Sequence, residues 1–180
     1  MLIAGIDPGT NGAIAVLDSE SPDSVALVDL KNKNIIDIWN WLNECKFWGL
    51  DQASYEQIPT EYNHLSCEWS SRILIQIWLE DVHSMHGMSA KSNFGFGKNL
   101  GIVTAIAEIA SDTVSTVTPK IWQKYIGVTA KGKTIKKEVA KIAQGFYPNV
   151  ELHGKRGGLL DGRADALMIA HYGLKHWEEE

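Results

Sequence analysis

The chain has 180 residues, 44% of them hydrophobic, and a formal net charge of −5 at neutral pH. That length fits one domain with a sizeable apolar core, and no apolar run approaches the roughly 20 residues of a membrane-crossing helix. The sequence opens directly on a strand-like segment, without a charged leader or a lipid-anchor motif, so a cytoplasmic protein with no membrane partner is expected.

In chain order, Leu2–Asp7 is an apolar run that reads as a buried strand, closed by the turn residues Pro8-Gly9-Thr10-Asn11. Gly12–Asp18 and Ser24–Leu30 read as a second and third strand, separated by the turn-rich Ser19–Asp23. Such short turns imply an antiparallel meander. Asn32 or Asn34 is positioned to cap a helix to about Glu44, with Ile35, Ile36, Ile38, Trp39 and Leu42 on its apolar face. The stretch Cys45–Arg72 is aromatic and polar and reads as an insertion at about 45–72, with a helix near Glu61–Arg72. Cys45 and Cys67 make no disulfide framework, and with His64 they lack zinc-ligand spacing, so free thiols are expected.

A fourth apolar run, Ile73–Leu79, ends on Glu80. A polar loop, His83–Lys91, precedes a helix expected from about Asn93 to Ala110. Thr113–Val117 is a short strand, and Thr118-Pro119 starts a short helix with Trp122, Tyr125 and Ile126 on its apolar side. A lysine-rich helix follows from Thr134 to about Phe146, stopped by Pro148, and a last helix runs from Asp161 to about Trp177. The order β-β-β-α-β-α-β-α-α-α implies an α/β protein, one domain over 1–180, whose mixed five-stranded sheet carries helices on both faces.

Four acidic residues stand out. Asp7 ends the first strand beside a glycine-rich turn whose N–H groups can face an anion, although Asp-Pro-Gly is also plain turn chemistry. Glu80 ends the fourth strand. Asp81 follows it, and strand alternation sends the two to opposite faces, either of which can be the inner one. Asp161 and Asp165 lie one helical turn apart at a helix N-terminus, where negative charge is favoured. Simple capping by Asp161 with a solvent-facing Asp165 is the plainer alternative. His83 and His86 are further polar candidates. A carboxylate at the end of a buried strand carries a desolvation cost, which a hard, oxygen-preferring cation relieves. Two cations on four carboxylates can clamp a scissile phosphate, one activating water and the other stabilising the leaving oxygen. Lys120, Lys124, Lys131, Lys133, Lys136, Lys137 and Lys141, opposed only by Glu138, form a basic tract on an acidic chain. It reads as a phosphate footprint or, more plainly, as a solvated helix face.

The ordered motifs resemble the RuvC-type Holliday junction resolvases. Gly5-Ile6-Asp7-Pro8-Gly9-Thr10-Asn11-Gly12 is similar to the opening of that family, and Trp78-Leu79-Glu80-Asp81-Val82 to its second acidic strand. Phe94-Gly95-Phe96-Gly97-Lys98-Asn99-Leu100-Gly101 resembles the glycine-and-aromatic helix start that follows. Val117–Trp122, the lysine tract and Asp161–Leu167 are similar to the phage-borne branch in particular. The resemblance implies an RNase H-like fold and a homodimer that resolves four-way DNA junctions by paired symmetric nicks. It also implies two Mg²⁺ per active site, with Mn²⁺ able to substitute, and no nucleotide cofactor. By the same resemblance Asp7, Glu80, Asp161 and Asp165 become the catalytic metal ligands, and the helix around Asn93–Ile109 the dimer helix. Phe94, Phe96 and Lys98 are placed at the DNA, where an aromatic ring can stack on exposed bases, though both rings are equally readable as core. The seven lysines of the basic tract would grip phosphates. One departure concerns the final acidic pair, spaced by four where many bacterial members use three. Rival readings are a sugar-kinase-type phosphotransferase, for which the chain is too short, a non-catalytic junction-binding module, and a related nuclease for other branched DNA or RNA–DNA hybrids.

Overall fold

Five consecutive buried residues, Leu2–Ile6, form strand β1. An apolar run without alternation suits a strand covered on both faces, and β1 is the centre of the sheet. It pairs antiparallel with β2 (Ala13–Asp18), from Leu2 opposite Asp18 to Ile6 opposite Ile14. It pairs parallel with β4 (Ile75–Glu80), from Leu2 beside Ile75 to Ile6 beside Leu79. With β3 (Val25–Asp29) and β5 (Thr113–Val117) the order is β3-β2-β1-β4-β5. The meander is therefore antiparallel, the crossovers are parallel, and the expected mixed five-stranded sheet is observed. The computed structural model describes residues 1–21, 23–48, 74–83, 87 and 89–179.

Side-chain alternation splits the core in two. Leu2, Ala4, Ile6, Ile75, Ile77 and Leu79 face α1 (Ile35–Trp48) and α2 (Ala90–Ala110). Ile3, Ala13, Ala15 and Leu17 face α3 (Pro119–Tyr125), α4 (Ile135–Phe146) and α5 (Asp161–Glu179). Helices thus cover both faces.

Asn34 is the residue that starts α1. Its Oδ1 accepts from the N–H groups of Ile36 and Asp37, and Asp37 Oδ2 accepts in return from Asn34 N–H. The helix continues past the expected Glu44 to Trp48, which places Cys45 in the core as a buried free thiol. The rest of the expected insertion, with its helix near Glu61–Arg72, His64 and Cys67, lies outside the described residues, as does His86. Helix α2 begins at Ala90, three residues before the expected Asn93. Ser89 caps it, its Oγ accepting from Ser92 N–H at 3.1 Å. Phe94–Gly97 therefore sit inside the first two turns of the helix.

Helix α5 lies directly on the sheet. A Cβ added at Gly5 would fall 2.2 Å from Ala170 N and 2.3 Å from Ala166 O, so only glycine permits this approach of strand backbone to helix backbone. The first turn of α5 is joined to the turn after β1 by a parallel bridge between Gly12 and Gly162. Arg163 completes the tie. Its Nε and Nη2 donate to the two carboxylate oxygens of Asp29 at 2.7 and 2.8 Å, and its Nη1 to Glu151 O at 3.0 Å. Among the described residues no helix is long and apolar enough to cross a membrane.

Candidate active site

Asp7 is the first residue beyond β1 and Glu80 the last of β4. Because Ile6 lies beside Leu79 in the parallel ladder, the next residue of each strand emerges at the same sheet edge. Alternation turns both toward the α5 face, since Ile6 and Leu79 point the other way. The Gly12–Gly162 bridge then sets the start of α5, with Asp161 and Asp165 on it, over the turn that carries Asp7. Glu80 is thereby the inward-facing one of Glu80 and Asp81. Glu80 is 8% exposed, whereas the Asp81 side chain is 40% exposed and faces the exposed His83, 3.7 Å away.

Backbone and side-chain donors fix the strand carboxylates. Asp7 Oδ1 accepts from Gly9 N–H at 2.9 Å, holding the side chain over its own turn. Glu80 Oε1 accepts from the indole Nε1–H of the fully buried Trp122 at 2.9 Å. Sequence reading places Trp122 only on an apolar helix face; its polar edge also has a task.

Three of the carboxyls, Asp7, Glu80 and Asp165, are shifted upward. Burial pushes the Glu80 carboxyl up to about 7, with the neighbouring Asp7 charge adding to the rise, while Trp122 and Lys136 oppose it. Burial also raises Asp7, helped by Asp161 and countered by the Gly9 N–H and Lys136. Asp165 is raised well above the usual carboxylate range by burial and then by Asp7, Glu80 and Asp161. Burial is the leading cause in all three, and the neighbouring carboxylates add to it. The resident cation is Lys136. Its Nζ pairs directly with Asp161 Oδ2 and is raised by that bond and by the charges of Asp161, Asp165 and Asp7. Sequence reading assigns Lys136 to phosphate, and the 25 residues between it and Asp161 hide the pairing.

The donor set fits hard divalent cations in its chemistry, since every candidate ligand is a carboxylate oxygen. In this conformation no group of three or more His, Cys, Asp or Glu side chains among the described residues stands close enough to enclose one ion. Lys136 holds Asp161 in an ion pair instead.

The expected DNA-facing residues divide between two sides of the sheet. Phe94 is 76% exposed, so it is not a core residue; Phe96 is half-buried and Lys98 exposed. All three stand on α2. Lys120, Lys124, Lys131, Lys133, Lys137 and Lys141 are exposed on or between α3 and α4, which cover the opposite face. The one opposing acid, Glu138, binds the loop before α4. Its carboxylate accepts from Ala130 N–H, Thr129 Oγ1–H and Thr129 N–H, which lowers its pKa, the Ala130 bond most.

RuvC from Thermus thermophilus superposes with a TM-score of 0.53 at 19% identity, over 98% of this chain and 97% of that one. T. thermophilus RuvC in complex with a Holliday junction substrate superposes at 0.52 with 15% identity, over 99% and 96%. The fold is RuvC-like. The sequence itself matches no family model and no curated protein. Within the RuvC-like fold, the edge where Asp7 and Glu80 emerge lies at the C-terminal ends of two adjacent parallel strands, where open α/β sheets commonly place their ligands.

Proposed function

We propose that this protein is a metal-dependent, structure-selective endodeoxyribonuclease that resolves four-way DNA junctions by paired symmetric nicking. The observation that carries the reading is the gathering of Asp7, Glu80, Asp161 and Asp165, distant in sequence, into one electrostatically coupled cluster at a sheet edge of a RuvC-like fold. That one of the two Thermus neighbours is RuvC bound to a Holliday junction supports the choice of substrate.

In this reading Asp7, Glu80, Asp161 and Asp165 hold two Mg²⁺ or Mn²⁺ ions. Bound there, such ions supply an activated water and a stabilised leaving oxygen for displacement at phosphorus. The chain's own groups do the rest. Gly9 N–H and Trp122 Nε1–H hold the Asp7 and Glu80 carboxylates in place. The Gly12–Gly162 bridge fixes the height of the α5 carboxylates above the sheet. The exposed lysines Lys120, Lys124, Lys131, Lys133, Lys137 and Lys141 bind backbone phosphates. Phe94, outward on α2, stacks on bases unpaired at the crossover, with Phe96 and Lys98 beside it. The working unit is a homodimer with α2 at its interface, since paired nicks need two sites. The chain acts as one nuclease domain, in the cytoplasm, on the phage-borne side of its relatives.

The test is cleavage of a synthetic four-way junction beside linear duplex, flap and RNA–DNA hybrid controls, each with Mg²⁺ and with EDTA. Mg²⁺-dependent, paired cuts confined to the junction are expected. Preferential cutting of flaps or hybrids assigns a different substrate, and junction binding without cutting assigns a non-catalytic module.

A further inference from the structure

Six of the seven lysines in the basic tract extend from an outer surface, but Lys136 does not behave like them. It stands in the first turn of α4, and its Nζ crosses to α5 to pair with Asp161 Oδ2. The Asp161 side chain is 30% exposed and that of Lys136 63%, so the pair sits at the mouth of the carboxylate cluster. Helix α4 packs directly on α5 through buried Val139, Ala140 and Ala143, which fixes the stem of Lys136 beside the cluster.

We infer that Lys136 is an exchangeable internal counterion: its ammonium neutralises the carboxylate cluster while no divalent ion is bound, and it must leave Asp161 before that residue can ligate one. The inference rests on the metal-nuclease reading of the site and adds a residue to it. Two cations near the same carboxylate oxygens repel, so lysine and divalent ion compete. Loading the metal then releases a lysine at the cluster's mouth, where a phosphate bound for cleavage would lie. Lys136 thus belongs to the metal site when the site is empty and to the nucleic acid when it is full.

The experiment is Mn²⁺ uptake by the full-length protein without DNA, followed by electron paramagnetic resonance of free Mn²⁺. Wild type, Lys136→Met, Lys136→Arg and Asp7→Asn are compared. Removing the competing charge in Lys136→Met is expected to tighten uptake about tenfold, with Lys136→Arg staying near wild type. The methionine variant should also melt lower in EDTA and recover with Mg²⁺, because it lacks the internal cation. Equal or weaker Mn²⁺ binding by Lys136→Met, where wild-type uptake depends on Asp7, overturns the counterion role and leaves the nuclease reading standing. Wild-type uptake that is absent, or indifferent to Asp7→Asn, overturns both.

Discussion

Replacing Gly5 by alanine drives a methyl group into the backbone of α5. The added Cβ would meet Ala170 N at 2.2 Å, Ala166 O at 2.3 Å and Ala170 Cα at 2.9 Å. Unstrained contacts lie near 3.5 Å, so the helix must retreat by more than about 1 Å. Overpacking of this kind costs about 1–3 kcal/mol, and two rigid backbone obstacles put Gly5→Ala at the upper end. For a chain of this size each kcal/mol lowers the midpoint by about 2–4 °C, giving a fall of roughly 6–12 °C. The catalytic effect should be disproportionate. Asp165, a metal ligand in the proposed function, immediately precedes Ala166, and a displacement of about 1 Å in such a group costs on the order of 100-fold in rate. Scanning calorimetry and junction cleavage measure the two effects. Gly145→Ala is the control, since a Cβ there meets nothing within 4 Å; it should leave both quantities near wild type. A Gly5→Ala protein that melts and cuts like wild type would refute the claim that backbone contact between β1 and α5 sets the height of the carboxylates.

Other outcomes follow from the same geometry. Glu80 has a folded pKa of about 7 against an ordinary 4.5, so the folded metal-free protein binds more protons than the unfolded chain between those values. Stability in EDTA should therefore fall as pH rises from about 4.5 to about 7, by an amount on the order of 3 kcal/mol from Glu80, with Asp7 and Asp165 acting in the same direction. Denaturation midpoints across that range check the slope, which Glu80→Gln should flatten. Trp122→Phe removes the donor to Glu80 Oε1 and leaves a buried carboxylate short of a partner. A loss of about 1–3 kcal/mol is expected, with the Glu80 titration, followed by carboxyl NMR, moving further upward. Junction affinity should fall steeply with salt, and neutralising Lys137 and Lys141 together should reduce the log–log slope by about two if both touch phosphate.

Much of the fold is legible in the sequence because the chain states it locally. β1 is apolar without interruption, as a doubly covered strand must be, and Asn34 with Asp37 spells out the start of α1. The start of α2 is harder. Ser89 caps a first turn of Ala90, Lys91, Ser92 and Asn93, which carries no apolar periodicity, so the helix reads as beginning late. The nearness of the four acids is legible only through family resemblance, since nothing local brings the residue after β1 to the start of α5. The fold achieves it through two bare-backbone contacts, at Gly5 and between Gly12 and Gly162. Glu80 is separable from Asp81 only once β4 is registered against β1. Trp122 and Lys136 escape sequence reading for the same reason. Their polar partners are 42 and 25 residues away, and a tryptophan on an apolar helix face or a lysine in a basic tract has an ordinary explanation already.

The central claim is that Asp7, Glu80, Asp161 and Asp165 close around divalent cations. Anomalous diffraction from crystals grown with Mn²⁺ measures this directly. Two peaks within ligating distance of these carboxylates, with the Lys136 ammonium withdrawn from Asp161, are the expected result. Mn²⁺ bound elsewhere, with the four side chains still apart and Lys136 still paired, would contradict the account.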